Sequence, residues 1–155
     1  MSDTIETRLA DLGITLPDTA PAVAGNYVAY VVTGNLVHVS GQISQRDGNL
    51  IKGKLGVDFD LAQGADAAKA CAVSLLTQVK FACGGDLNRL VRVVKLNAFV
   101  NSAPDFTDQP KVVNGASDFL VEVLGDAGRH ARSAVGVAAL PLGVAVEIDG
   151  VFEIK

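Results

Sequence analysis

The spacing of apolar residues along the chain predicts two amphipathic helices, each with one apolar face. The first spans about residues 60–83 and begins with Asp60 and Gln63 at capping-box spacing. The second spans 107–124, with Pro110 in its first turn, where proline is tolerated. The apolar face of the first helix comprises Ala68, Ala72, Leu75, Val79 and Ala82. That of the second comprises Val112, Val113, Ala116, Phe119, Leu120, Val123 and Leu124.

Runs rich in β-branched residues predict strands on either side of these helices. Residues 26–33 and 36–42 are separated by Gly34-Asn35, which is typical of a tight hairpin. A short extended piece is expected near 50–54, and 90–100 predicts a largely buried strand. The last two strands, 131–139 and 144–153, are joined at 140–143, which predicts a second hairpin.

The order of these elements predicts an α+β fold. Residues 4–12 indicate a short N-terminal helix closed by Gly13, and the proline-containing stretch 14–24 indicates a loop. Because each long helix has one apolar face, we expect both on one face of a mixed sheet. An oligomer could cover the other face. We expect one domain over 1–155, divided into an N-terminal extension (1–24) and a core (25–155).

Charge and hydropathy exclude several classes of protein. The net charge is −4 and no cluster of lysines and arginines occurs, so we expect no nucleic-acid partner. No apolar run approaches the ~20 residues of a membrane span, and the acidic N-terminus lacks the features of a secretory signal. We therefore expect a cytoplasmic protein without a membrane partner. The hydrophobic content of 49% predicts either a subunit interface or a core rich in alanine and valine.

The cysteines and histidines show no metal-site spacing. Cys71 and Cys83 lie in one predicted helix, roughly 18 Å apart along its axis, which is too far for a disulfide. His38 and His130 are the only histidines. We therefore predict buried structural thiols and no metal site.

The predicted C-terminal hairpin places an arginine and a glutamate among small and apolar residues. With a loop at 140–143, Gly136 faces Glu147, and alternation puts Arg132, Ala134 and Glu147 on one sheet face. The two charges would lie about 13 Å apart. The guanidinium would bind a carboxylate, and the glutamate would hold or deprotonate a water. Alternatively, Arg132 pairs with a carboxylate elsewhere, including another subunit, and Glu147 is merely exposed.

Several of these residues resemble signature motifs of the RidA/YjgF family. Tyr27 and Asn114 stand where the family has a tyrosine and an asparagine. The run 34–43, GNLVHVSGQI, is similar to the family's second-strand motif. The C-terminal motif is matched by Ala131-Arg132-Ser133, Leu140-Pro141 and Val146-Glu147-Ile148. The resemblance covers about residues 25–154.

This resemblance implies a chorismate-mutase-like fold and a homotrimer with clefts between subunits. It also implies a deaminase that hydrolyses reactive 2-imino or enamine acids to a 2-oxo acid and ammonia, with no metal or organic cofactor. Arg132 would bind the substrate carboxylate, and Glu147 would position water and shuttle protons. The implied cleft residues are Tyr27, Ser40, Gly41, Asn114 and Ala134, with Tyr27 from its own or the neighbouring subunit. The three polar residues of this set each have a structural alternative. In that interpretation Tyr27 is an ordinary strand aromatic, Ser40 satisfies a strand-end backbone group, and Asn114 is a helix surface amide.

Three positions depart from the family pattern and leave the substrate preference open. Ala134 stands where the best-known deaminases of the family have a cysteine. Gly136 stands where they often have an acidic residue, and Leu142 stands where they often have a lysine. A roomier cleft is the expected result. Two other functions remain: a non-catalytic trimer that binds small carboxylates such as 2-oxo acids, which needs Arg132 but not Glu147, and a ribonuclease. The acidic pI of about 5.0 argues against the ribonuclease.

Overall fold

A five-stranded sheet with two long helices on one face forms the body of the molecule. The computed structural model describes residues 4–155 and leaves residues 1–3 of the predicted N-terminal extension outside the described residues. The helices are α1 (Ile5–Asp11), α2 (Leu61–Ala82) and α3 (Gln109–Leu124). The strands are β1 (Tyr30–Thr33), β2 (Leu36–Ile43), β3 (Gln45–Arg46), β4 (Asn49–Leu50), β5 (Leu90–Asn101), β6 (Ala131–Val137) and β7 (Val146–Ile154). The sheet order is β1-β2-β7-β5-β6, and β3-β4 form a separate hairpin.

Both predicted long helices are confirmed, and both pack on the same sheet face. Asp60 and Gln63 cap α2 reciprocally, each side chain accepting a hydrogen bond from the other's backbone N–H, at 2.8 and 2.9 Å. The predicted apolar face of α3 is buried throughout. Helix α2 lies over β2 and β7, and α3 lies over β5 and β6. The fold is therefore the predicted α+β arrangement, with the predicted short helix α1 at its N-terminus.

The first hairpin is confirmed, although its first strand is shorter than predicted. Strands β1 and β2 pair antiparallel across Gly34-Asn35, with Thr33 opposite Leu36. β1 begins only at Tyr30, so Tyr27 precedes the strand. The extended piece predicted near 50–54 overlaps β4, whose partner β3 was not predicted.

The predicted C-terminal hairpin is wrong. Strand β6 pairs in parallel with β5, and β7 lies on the other side of β5, antiparallel to both β5 and β2. Gly136 therefore does not face Glu147. The connection at 138–145 leaves the sheet because the segment after β4 holds it: Ala145 donates to the carbonyl of Ile51, and Gly53 donates to that of Gly143. The chain then re-enters the sheet beyond β5.

The face opposite the helices carries no helix in the part of the chain that the structure describes. Along β7, the helix-facing side chains are buried, whereas Glu147, Asp149, Val151 and Glu153 are half-buried on this open face. Val31 and Val135, at the two outer strands, are exposed. This partly exposed face, which mixes apolar and charged side chains, is the surface that the predicted oligomer would cover.

The other global predictions concern cysteines and membranes. Cys71 and Cys83 are free and buried, and burial raises the pKa of the Cys71 thiol, as expected for structural thiols. Among residues 4–155, no helix combines the length and the hydropathy that crossing a bilayer requires.

Candidate functional site

The structure separates the predicted site residues into two groups on opposite faces of the sheet. Arg132 is level with Leu96 of β5, whereas Glu147 is level with Phe99, three positions further along. Because side chains alternate, an odd offset puts the two charges on opposite faces. The shared face inferred from the hairpin is therefore wrong within one chain. We call Arg132, Asn114 and Ala134 the arginine half-site, and Glu147, Gly41 and Ser40 the glutamate half-site. Tyr27 precedes β1 and belongs to neither group.

In the arginine half-site, the guanidinium of Arg132 lies against the first turns of α3. Its Nη1 donates to Ser117 Oγ at 2.9 Å, and its Nη2 donates to the carbonyl of Pro110 at 3.0 Å. Helical spacing puts the exposed Asn114 on the same face of α3 as these two partners. No carboxylate of residues 4–155 forms an ion pair with Arg132. Three of the five guanidinium N–H donors thus remain for a ligand.

Ser117 and His130, which the sequence analysis did not select as site residues, form a hydrogen-bonded chain with Arg132. His130 Nδ1 is 2.6 Å from the carbonyl of Gly128, and its Nε2 is 2.9 Å from Ser117 Oγ. Burial lowers the pKa of His130, and so does the nearby charge of Arg132, while the bond to Gly128 acts in the other direction. The available signal was weak: His130 precedes Arg132 by two residues, but nothing in the sequence marks Ser117.

Glu147 is the charged residue of the glutamate half-site. Its side chain is half-buried, and it has no hydrogen-bond or ion-pair partner in the described range 4–155. Burial raises the pKa of Glu147, and the neighbouring charge of Asp149 raises it further. Asp149 itself accepts a hydrogen bond from Asn97 at 2.8 Å. Glu147 is therefore a carboxyl group with an increased affinity for a proton, as a general base requires.

A β-bulge in β2 makes room for this carboxylate. Ser40 and Gly41 together oppose the single residue Asp149 of β7. A Cβ on Gly41 would lie 2.9 Å from Glu147 Oε2 and 3.0 Å from its Cδ. Glycine at this position therefore lets the Glu147 side chain lie across β2.

Two buried amides support the bulge from the helix side. Gln42 Nε2 donates to the carbonyl of Ser40 at 2.9 Å, and Gln78 Nε2 of α2 approaches Gln42 Oε1 at 3.5 Å. Gln78 is only 1% exposed, and its Oε1 has no partner within residues 4–155. The amide pair thus links the bulge at the glutamate half-site to the core.

Ser40 and Tyr27 each form a hydrogen bond with the segment that precedes β1. Ser40 Oγ donates to the carbonyl of Val28 at 2.7 Å, which is the strand-end hydrogen bond considered above. Its lone pairs remain available to a ligand. Tyr27 is 49% exposed, and its hydroxyl accepts from the backbone of Ala24 at 3.3 Å.

Two of the depressions on the surface of residues 4–155 bear on the site. A shallow one of about 260 Å³ is lined by Ser117, Asp118, Val121, Arg129, His130 and Arg132. A larger groove of about 930 Å³ lies between residues 13–21 and α2, away from both half-sites. Its Arg46 and Asp66 bind each other at 2.7 Å, so these two charges are already compensated. Within residues 4–155, no three His, Cys, Asp or Glu side chains group as metal ligands.

Comparison with known proteins identifies the family. Residues 6–150 match the family described as "YjgF/chorismate mutase-like, putative endoribonuclease". The chain belongs to the YjgF/chorismate mutase-like family. This YjgF-family chain is 50% identical to the protein TCP17 of Trypanosoma cruzi, over 99% of this chain and 96% of TCP17. A 2-iminobutanoate/2-iminopropanoate deaminase of Dermatophagoides farinae is 30% identical, over 88% and 91% of the two chains. The crystal structure of Atu1372 from Agrobacterium tumefaciens, of unknown function, superimposes with a TM-score of 0.91 at 49% identity, covering 99% and 94%.

Proposed function

We propose that this chain hydrolyses small 2-imino acids and their enamine tautomers to 2-oxo acids and ammonia, at a site completed by two copies of the chain. The observation that carries the proposal is the burial and the charge pairing of Arg132 and Glu147. Both are half-buried, yet neither has a charged partner among residues 4–155. Half-buried charges without partners are costly to keep, and such groups concentrate at functional sites.

The position of the two half-sites favours a site between copies. Arg132 and Glu147 lie on opposite faces, about 10 Å apart along the strands and about 10 Å across them. Strand β6 is an edge strand, and the open face beside Glu147 is uncovered. Packing the β6 edge of one copy across the open face of the next would bring Arg132 to the partner's glutamate half-site. A head-to-tail contact of this type forms a ring when its rotation closes, and a homotrimer is the ring that we propose.

The chemistry then needs only water as a second substrate. Arg132 binds the substrate carboxylate, so that C2 of the imine lies at a fixed position. Glu147 takes a proton from water as the water oxygen bonds to C2 and the C=N double bond becomes single. The same proton passes to the nitrogen, which gives a carbinolamine. Glu147 then transfers the hydroxyl proton of the carbinolamine to the nitrogen as the C–N bond breaks, the C=O bond forms and ammonia leaves. Glu147 is regenerated ionised, and its raised pKa suits these transfers.

Similarity to the mite protein named as an iminobutanoate/iminopropanoate deaminase supports this reaction class. The family description also names an endoribonuclease activity. A net charge of −4 disfavours that activity here, because binding of RNA depends on neutralising its phosphates. A cytoplasmic location completes the proposal.

A coupled assay tests the reaction. Serine dehydratase generates 2-aminoacrylate, and the initial rate of pyruvate release is followed with and without this protein. We expect faster release with the wild type and with the control Arg46→Ala, and none beyond background with Arg132→Ala. Failure of the wild type to accelerate release from several imino acids would overturn the deaminase.

Binding of a carboxylate without chemistry is the second candidate, favoured by the three unused donors of Arg132. Titration calorimetry with 2-oxobutyrate distinguishes the two functions. Binding that depends on Arg132, in a protein without turnover, would assign the non-catalytic role.

A further inference from the structure

We infer that Ser117 and His130 are positioning residues, which hold the Arg132 guanidinium in the orientation that a substrate carboxylate needs. The inference rests on the proposed function, because it assigns Arg132 a ligand. It is carried by a chain of hydrogen bonds that joins α3, the turn after α3 and strand β6. The chain runs from Arg132 Nη1 to Ser117 Oγ, to His130 Nε2, and from His130 Nδ1 to the carbonyl of Gly128.

The donor and acceptor roles in this chain are determined by its two ends. The carbonyl of Gly128 can only accept, so His130 Nδ1 carries the proton. A neutral imidazole has one N–H, so Nε2 is an acceptor and takes the Ser117 hydroxyl hydrogen. The oxygen of Ser117 is then left to accept from Arg132. Each group has one role, and reversing any bond would break another.

The surroundings of His130 keep it in the neutral state that the chain requires. Burial is the largest influence and lowers its pKa, the hydrogen bond to Gly128 raises it, and the charge of Arg132 on β6 lowers it, with a net downward shift. The other charged side chains around the same depression are Asp118 of α3 and Arg129, which precedes His130. A protonated ring would present a second N–H to Ser117 and a second positive charge to Arg132. Ser117 could then no longer donate to the ring.

A fixed guanidinium is an advantage for binding. Arginine has many rotamers, and an arginine that is already ordered loses less freedom when a ligand arrives. Ser117 holds Nη1, and the carbonyl of Pro110 holds Nη2 from the start of the same helix. The two contacts lie about two turns apart on α3, so together they determine the plane of the guanidinium.

The histidine tautomer is the first test, because it depends on the hydrogen-bond chain and not on turnover. The protein has two histidines, and the exposed His38 serves as an internal reference. In ¹⁵N-histidine-labelled protein at neutral pH, we expect His130 as the Nδ1–H tautomer. We expect this signature to weaken in Ser117→Ala. An Nε2–H tautomer or a protonated ring at His130 would overturn the inference.

Binding of 2-oxobutyrate, measured by calorimetry, is the second test, with thermal unfolding confirming that each variant folds. Ser117→Ala and His130→Ala should raise Kd about three- to tenfold, the usual effect of losing one hydrogen bond. Ser117→Thr retains the hydroxyl, and His130→Gln retains an acceptor near the Nε2 position, so both should largely restore Kd. In the coupled assay the alanine variants should raise KM with little change in kcat.

The outcomes separate this inference from the proposed function. Restored binding in the conservative variants, without any turnover by the wild type, would support the positioning role and overturn the deaminase. Turnover by the wild type, with equal Kd for Ser117→Ala and Ser117→Thr, would overturn the positioning role alone.

Discussion

At the scale of single residues, Glu147 shows how a group can be poorly placed for stability and well placed for chemistry. Burial and Asp149 raise its pKa, so the fold disfavours the ionised carboxylate relative to the unfolded chain. The folded protein therefore binds the proton more tightly, and Glu147 contributes stability that is lost as pH rises through its folded pKa. The same preference for a proton makes it a stronger base.

Glu147→Gln should therefore raise the unfolding temperature at pH 8 and remove turnover. The gain should shrink as pH falls below the folded pKa, where the native side chain is already neutral. Differential scanning calorimetry across pH, together with the pyruvate assay, measures both effects. The control is Glu153→Gln on the same strand and face, which weakens a hydrogen bond from Asn35 and should bring no gain in stability. An active Glu147→Gln variant would contradict the role as base.

Gly41→Ala should remove most turnover at little cost in stability. The added Cβ would meet the end of the Glu147 side chain, which can rotate away, so the fold adapts while the carboxylate loses its position. The pyruvate assay reports the first effect and thermal unfolding the second. Wild-type turnover in this variant would show that the place of the carboxylate over β2 does not matter.

At the scale of elements, the sequence was sufficient to predict the two long helices but not the pairing of the last two strands. Helical periodicity and the Asp60–Gln63 cap are local, and α2 and α3 formed where they indicated. The pairing of β6 is not local, because β5 inserts between β6 and β7. A strand, a helix and another strand in succession favour parallel neighbours, as in β5-α3-β6, whereas the short loop after β6 favours a hairpin.

The sequence was likewise sufficient to select residues of the candidate site but not to place them relative to one another. Motifs selected Arg132 and Glu147, but their faces depended on the pairing of β6 and β7. The pair of His130 and Ser117 brings together residues 13 positions apart through the turn after α3. Sequence spacing has no period that would have revealed that contact.

The buried amide pair gives an element-scale prediction about the β2 bulge. Gln42→Leu leaves the carbonyl of Ser40 without this donor, and the amide of Gln78 without its partner. We expect a loss of about 1–3 kcal/mol in the free energy of unfolding, measured by urea denaturation. The double variant with Gln78→Leu should lose less than Gln42→Leu alone, because it also removes the orphaned amide. A loss in the double variant equal to the sum of the losses in Gln42→Leu and Gln78→Leu would mean that the two amides act independently.

At the scale of the whole molecule, the open sheet face should control assembly and activity together. Val135, 46% exposed on β6, lies on this face, and a charge there would have to be buried in the proposed trimer. Val135→Asp should therefore shift the protein from trimer to monomer in sedimentation equilibrium and remove turnover.

Val57→Asp is the matched control, since Val57 is 70% exposed in the turn before α2. It should remain trimeric and active. A monomeric wild type with full turnover would contradict the composite site.

The opposite-face placement of Arg132 and Glu147 has a genetic consequence. If each site takes its arginine from one chain and its glutamate from the next, two dead alleles can complement each other. Co-refolding Arg132→Ala with Glu147→Gln in equal amounts should restore about a quarter of the sites, because each contact in a ring pairs two chains at random. The rate of pyruvate release would reveal it. Mixed rings that stay inactive would mean that each chain carries both groups of its own site.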